Sequence, residues 1–162
     1  MLYLGKTPKV RRHSVKPITV FTIGYEERTI DEFLGRLKKH GISTLIDVRE
    51  IPYSRKRDFS KTRISEHLRS AGINYVHVGK LGSPKELREK LHRDKDYDSF
   101  FDGYRAYLET LNGDMEEMYR EIIAQDVSCF MCMERDPLKC HRLIVAKKVK
   151  AIDGNGLVIT HI

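Results

Sequence analysis

The sequence predicts an α/β sandwich, a mostly parallel sheet flanked by helices in a Rossmann-like arrangement. Three observations carry this expectation. Short β-branched apolar runs alternate along the chain with stretches of helical periodicity. Those runs are near-continuous in apolar character, as strands buried on both faces must be. A length of 162 residues with 40% hydrophobic content supports one ordinary core and hardly two.

Taken in order, ITVFTIG (18–24) reads as a buried strand that stops at a glycine. A capping box then opens a helix: Thr29 is followed three residues on by Glu32, with Ile30, Phe33, Leu34 and Leu37 at helical spacing and His40-Gly41 as the stop. STLIDV (43–48) is a second strand, residues 61–71 form a helix ended by Gly72, and INYVHV (73–78) is a third strand. Residues 85–124 are expected to be helical with a break at Asn112-Gly113, their aromatic and methionine stripes serving the core. VSCFMCM (127–133) is a fourth strand. Asp136-Pro137 then supplies the N-cap and first-turn proline of a helix running to about 149. After the turn Asp153-Gly-Asn-Gly156, LVITHI is a last strand. Residues 1–16, with Lys6, Lys9, Arg11, Arg12 and Lys16, read as a basic arm ahead of a single domain over 17–162.

Thirty Lys and Arg against 23 Asp and Glu give a formal charge of +7, which favours anionic partners such as nucleic acid or nucleotides. A merely lysine-rich surface gives the same balance. Charges and prolines interrupt every apolar run near the start, so neither a membrane span nor a secretory signal is expected, and the protein should be cytoplasmic. Three cysteines fit a reduced chain better than a disulfide framework.

In open α/β sheets ligands bind beyond the carboxyl ends of the strands, so the residues that follow each strand are the candidates for a site. Gly24 and Tyr25 follow the first, Asp47 and Arg49 the second, His77 the third, and Cys132, Glu134 and then Cys140, His141 and Arg142 the fourth. Such a gathering of acid, base, thiol and cation is what catalysis or anion binding requires. Gly24 would let a ligand approach the backbone closely; there is no GxGxxG or Walker pattern. Asp47 and Arg49 point to the same side and either grip a phosphate or satisfy each other. In the loop REIPYSRKRDFSKTR (49–63), Arg55, Lys56 and Arg57 stand among Tyr53 and Phe59, a mixture that neutralises phosphates and stacks bases.

The cysteines admit three readings. Zinc has the right ligand types in Cys129, Cys132, Cys140 and His141, but in a strand residues 129 and 132 face opposite sides, and Cys140 and His141 on a helix diverge by about 100°. No metal and no cofactor is therefore expected. A reactive thiol is the second reading: Cys140 in the first turns of a helix, beside His141 and Arg142, would be favoured as a thiolate. The third is a buried small hydrophobe, which is where Cys129 is assigned. A phosphatase Cys-x5-Arg loop does not start at Cys132 or Cys140, since the fifth residue after Cys132 is followed by Leu138 and after Cys140 by Ala146.

TIGYEERTIDEF (22–33), DVREIPYSRKRDFSK (47–61), GINYVHVGKLG (72–82) and CMERDPLKCHR (132–142) together resemble the signature segments of the domain of unknown function 488 family. The resemblance implies a compact α/β domain with no settled activity. The family pattern falls here on Asp47, Arg49, Ser54, Arg55, Tyr75, His77, Cys132, Glu134, Cys140, His141 and Arg142, and this chain departs from it at Tyr25-Glu-Glu27 and at Ser83.

The leading expectation is an enzyme-like domain that binds an anionic nucleotide or nucleic-acid ligand at the sheet edge. Arg49, Arg55 and Arg142 would hold phosphate, Cys140 would be nucleophile or redox centre with Cys132 beside it, and Glu134, Asp47 or His77 would act as acid and base. Gly24, Tyr25, Ser54 and His141 would complete the ligand surface. The alternatives are a non-catalytic nucleic-acid-binding module that uses the 49–63 loop, and a nucleotide sensor.

Overall fold

The computed structural model describes residues 17–154 and 156–162, so the basic arm of residues 1–16 lies outside the described residues. Five strands, β1 (Thr19–Gly24), β2 (Thr44–Asp47), β3 (Asn74–His77), β4 (Ser128–Cys132) and β5 (Val158–His161), form one sheet in the order β3-β2-β4-β1-β5. Every pairing is parallel, and the strand expectations hold to within a residue or two at their ends.

Among the described residues six α-helices flank the sheet: α1 (Ile30–Lys39), α2 (Lys61–Ser70), α3 (Lys85–Asp94), α4 (Tyr97–Glu109), α5 (Asn112–Met118) and α6 (Arg142–Ile152). The capping box of α1 is present: Glu32 N–H donates to Thr29 Oγ1 at 3.2 Å and Thr29 N–H to Glu32 Oε2 at 2.8 Å. The 85–124 stretch differs from expectation. It breaks first at Lys95, which takes the left-handed conformation at φ 56 with no glycine to announce it. The second break falls at Thr110-Leu111, so Asn112-Gly113 begins α5 rather than interrupting a helix.

Alternation along the strands divides the core in two. Val20, Ile46, Phe130 and Cys132 face α4, α5 and α6, where Tyr104, Leu108, Met115, Ile144 and Val145 bury against them. Ile23, Leu45, Cys129 and Met131 face α1 and α2, against Phe33, Leu37, Ile64 and Leu68. Cys129 is thus a core residue, on the face opposite Cys132.

The topology also fixes where a ligand can enter. From β1 the chain steps to β2 and β3 in one direction across the sheet, through α1 and α2. It then steps back to β4 and on to β5 through helices of the other face. Right-handed crossovers force that change of face when the direction reverses. The loop leaving β4 therefore runs to one side of the sheet while those leaving its neighbours β1 and β2 run to the other, and a crevice opens on each flank of β4. No helix among the described residues is long and apolar enough to cross a membrane.

Candidate active site

β4 ends at Cys132, and the following loop turns back on itself. Asp136 accepts the Leu138 N–H at 2.9 Å and caps a turn, Pro137–Lys139, as its sequence suggests, but the turn is a single one of 3-10 type. Cys140 is extended, at φ −131 and ψ 137, and α6 begins only at Arg142. The expected helix from Asp136 is thereby corrected. The divergence of about 100° between neighbouring helical side chains does not separate Cys140 from His141.

Instead the two converge on Cys132. His141 Nδ1 lies 4.0 Å from both Cys132 Sγ and Cys140 Sγ, and the three atoms are all within 4.8 Å of one another. The Cys140 thiol donates to Glu134 Oε2 at 3.0 Å. His141 Nε2 donates to the Val48 carbonyl at 3.0 Å, because a carbonyl can only accept, and so the Nδ1 lone pair of the neutral ring is turned to the sulfurs. Tyr104 packs its ring edge-on against that imidazole, with centroids 5.2 Å apart. Both cysteines and His141 are buried, Cys140 to 1% exposure.

Burial decides the protonation of this cluster. It raises the Cys140 thiol well above its ordinary value, with Cys132 adding to the effect and His141 opposing it. The thiolate expected from a helix N-terminus is therefore not the resting form: the helix starts two residues later, and desolvation outweighs its dipole. Burial also works to raise Glu134, yet the hydrogen bonds it accepts from Cys140 and Cys132 hold it below the usual carboxylate value. For His141 burial pulls downward, but the Cys140 hydrogen bond and the Val48 carbonyl raise it overall.

Asp47 and Arg49 are a satisfied pair. Arg49 Nε donates to Asp47 Oδ1 at 2.9 Å, Nη2 to Oδ2 at 2.6 Å and Nη1 to the Phe59 carbonyl at 2.9 Å. Tyr75 adds its hydroxyl to Asp47 Oδ2 at 2.7 Å. Tyr25 stacks on Phe59 at 4.6 Å between centroids, under the Arg49 guanidinium. His77 Nε2 donates to the Arg49 carbonyl at 2.8 Å. Asp47 and His77 thus hold the wall of the site and are not joined to the sulfur cluster. Ser54 accepts the Lys56 N–H within its own loop, and Arg55 is exposed. Lys56 ties the loop down by donating to the Arg28 carbonyl at 2.8 Å.

Arg142 is the largest fully buried side chain. It donates to the Glu134 carbonyl at 2.5 Å and the Arg135 carbonyl at 3.1 Å, fastening the loop that carries Glu134. Gly24 has a related role. A Cβ there would lie 1.9 Å from the Glu134 carbonyl oxygen, so the glycine admits the β4 loop and not a ligand. Gly24→Ala should destabilise the fold by about 1–3 kcal/mol and displace Glu134, read as a lower denaturation midpoint together with altered thiol reactivity. An alanine variant of unchanged midpoint would contradict this close approach.

Clefts occupy both flanks of β4. One, of about 250 Å³, is lined by Tyr25, Arg49, Tyr53, Cys132, Glu134 and His141, and a second of about 250 Å³ continues it past Ser83, Arg88, Lys139 and Glu134. On the β1 and β5 side a larger cleft of about 750 Å³ holds Arg28, Arg135, Lys139, Arg142 and His161, and it meets the others at Glu134. Two donor atoms of Arg28, Nε and Nη1, are buried without a hydrogen-bond partner among the described residues. Arg28, Lys139, Ser83 and Arg88 were not among the residues expected from sequence. The search by strand ends passed over Arg28 and Lys139, which follow β1 and β4 among residues of more evident chemistry, and did not reach Ser83 and Arg88, which lie beyond β3 in a loop and on α3.

No curated protein and no solved structure matches the chain. A family model does, over residues 29–149, and three of the four signature segments fall wholly within that span. The chain therefore belongs to the family described as Domain of unknown function DUF488.

Proposed function

We propose that this protein is an enzyme acting on an anionic, nucleotide-type ligand bound across the crevices beside β4, with Cys132, Glu134, Cys140 and His141 as the reacting centre. One observation carries the reading: the cleft of about 750 Å³ that holds the unpartnered Arg28 donors, with Arg135, Lys139 and Arg142 among Glu26, Glu27 and Asp136, meets the thiol, imidazole and carboxylate cluster at Glu134. Arg28 supplies two buried donors without partners, in a field of neighbouring Arg36, Arg135 and Arg142 that, with burial, lowers its pKa. A bound anion offsets both the unmade hydrogen bonds and the crowding of positive charge. The phosphate role expected of Arg49, Arg55 and Arg142 passes to Arg28 and Lys139 in this reading, because Arg49 and Arg142 have spent their donors on the protein itself. Glu134 takes the proton when the Cys140 sulfur becomes a thiolate.

Calorimetric titration with nucleoside mono-, di- and triphosphates and a short single-stranded oligonucleotide tests this. Arg28→Gln and Lys139→Gln should each weaken binding roughly 10–100-fold, the worth of a charge-assisted hydrogen bond of about 1.5–3 kcal/mol. If no member of that set binds, or if both variants bind as the parent does, the reading is lost.

A second reading, a nucleic-acid-binding module, is favoured by the 49–63 loop. Tyr53 is 71% exposed and Ile51 68%, beside exposed Arg55 and Arg57, which have no ion pair among the described residues. It expects oligonucleotide binding with a steep salt slope that Tyr53→Ala and Arg55→Gln weaken and Cys140→Ser leaves alone.

A further inference from the structure

We propose that Cys132 Sγ, Cys140 Sγ and His141 Nδ1 form a zinc site whose fourth position opens to the cleft beside Glu134. The proposal stands on the cluster's own geometry and holds whatever ligand the cleft takes. Zinc bonds of about 2.3 Å to sulfur and about 2.0 Å to nitrogen set a sulfur and a nitrogen ligand roughly 3.5 Å apart in a tetrahedron. Both sulfur to Nδ1 distances here are 4.0 Å, about half an ångström too long, and the two sulfurs, within 4.8 Å of each other, have at most about one ångström to close to the roughly 3.8 Å of a tetrahedral pair.

The imidazole is already oriented as a ligand. Its Nε2 hydrogen is committed to the Val48 carbonyl, and this outer contact selects the tautomer with a bare Nδ1, as in metal-ligating histidines generally. Two sulfurs and one imidazole nitrogen suit zinc over the hard cations, which prefer oxygen. The third cysteine takes no part, since Cys129 faces the opposite side of the sheet.

Three protein ligands leave one coordination position, the pattern of catalytic rather than structural zinc. Cys132, His141 and Glu134 all line the cleft, so that position faces it and not the core. Binding replaces two thiol protons by the metal: each S–H bond breaks heterolytically, the electron pair stays on sulfur as a thiolate and is shared with zinc in a coordinate bond, and the protons leave to solvent, the one on Cys140 by way of the Glu134 carboxylate that already accepts it. A water in the fourth position would then stand beside Glu134 as its base, which replaces the free thiol as the reacting group.

The test uses the full chain, stripped with a chelator under reducing conditions and titrated with cobalt(II) as a spectroscopic probe for zinc. The expected result is a thiolate-to-cobalt charge-transfer band and intense visible bands of tetrahedral cobalt, saturating at one equivalent and abolished by added zinc. Proton release into weak buffer should accompany saturation. Cys132→Ser, Cys140→Ser and His141→Ala should each weaken zinc binding by more than the roughly 10–100-fold that an outer contact is worth, while Cys129→Ala leaves it unchanged. Should these variants fail to fold, X-ray absorption of the zinc-loaded parent decides, with two sulfurs and at least one nitrogen expected in the first coordination sphere. A parent without the charge-transfer band, a band whose intensity and zinc affinity are unchanged in both Cys132→Ser and Cys140→Ser, or a zinc environment without sulfur overturns the proposal. Nucleotide titration of the stripped protein is a separate readout, so loss of the metal site and loss of anion binding are told apart.

Discussion

Replacing Asp47 by alanine should cost the fold about 3–5 kcal/mol, the penalty for stranding a buried charge. The Arg49 side chain is only 7% exposed and its partner 0%, so the guanidinium cannot recover water when the carboxylate goes. The loss also orphans the Tyr75 hydroxyl and the Arg49 N–H, both of which donate to Asp47. For a chain of this size the melting temperature should fall by roughly 10 °C. The double variant Asp47→Ala with Arg49→Met should be less destabilised than Asp47→Ala alone, because the unpaired charge leaves with the arginine. If the double variant is the worse of the two, or if the single one melts like the parent, the pair is not the buried structural element its geometry indicates.

Arg142→Met is expected to be comparably severe, at about 3–5 kcal/mol, for a different reason. No carboxylate pairs with Arg142 among the described residues; its guanidinium is satisfied by the carbonyls of Glu134 and Arg135 and by Thr22 Oγ1 at 3.4 Å. Methionine fills part of the volume but leaves those carbonyls without donors, and the loop that presents Glu134 loses its fastening. Chemical denaturation measures the stability loss, and the amide signals of residues 133–139 should broaden or shift beyond those of the core. Arg142→Lys should recover little, since one ammonium cannot span two carbonyls and a hydroxyl with the fork of a guanidinium. A lysine variant as stable as the parent would show that charge alone, and not the fork, holds the loop.

Most of the fold was legible in the sequence, and the failures share a cause. Strands such as ITVFTIG and VSCFMCM announce themselves because burial on both faces leaves no room for polar alternation. The Thr29 to Glu32 box marks α1 because the hydrogen bonds that it makes are local. Lys95 was missed because a lysine in the left-handed region carries no sign of it: the bond that closes the helix there runs from its own N–H to the Leu91 carbonyl, groups that every residue of a helix has. Asp136-Pro137 was read as the start of a helix to about 149; the cap is there, but a first helical turn looks the same whether it continues as α-helix or stops after three residues. Here it gives way to an extended Cys140 whose thiol donates to Glu134, a contact between side chains that no periodicity encodes. The same error set Cys140 apart from His141 as zinc ligands, whereas Cys129 and Cys132 do face opposite sides of the sheet. Of the candidate residues, Cys132, Glu134, Cys140 and His141 come together, whereas Asp47, His77, Gly24 and Arg142 serve as scaffold around them. Arg28 lay outside the search because its importance arises from what fails to reach it, and sequence does not record a missing partner.

The central position of β4 has a consequence for how the protein meets a ligand. Each of its residues is buried, and it has a hydrogen-bonded neighbour on either side. Segments of that kind open to hydrogen exchange only on near-global unfolding, whereas α3, which buries no residue completely, and the exposed tip of the 49–63 loop exchange by local fluctuation. The cluster at the end of β4 is therefore an almost rigid floor, its shape settled before any ligand arrives, and the entropy of adjustment falls on the walls. If the clefts bind a ligand as proposed, ligands of different size or outline are expected to be told apart at α3 and the loop, while the floor beneath treats them alike.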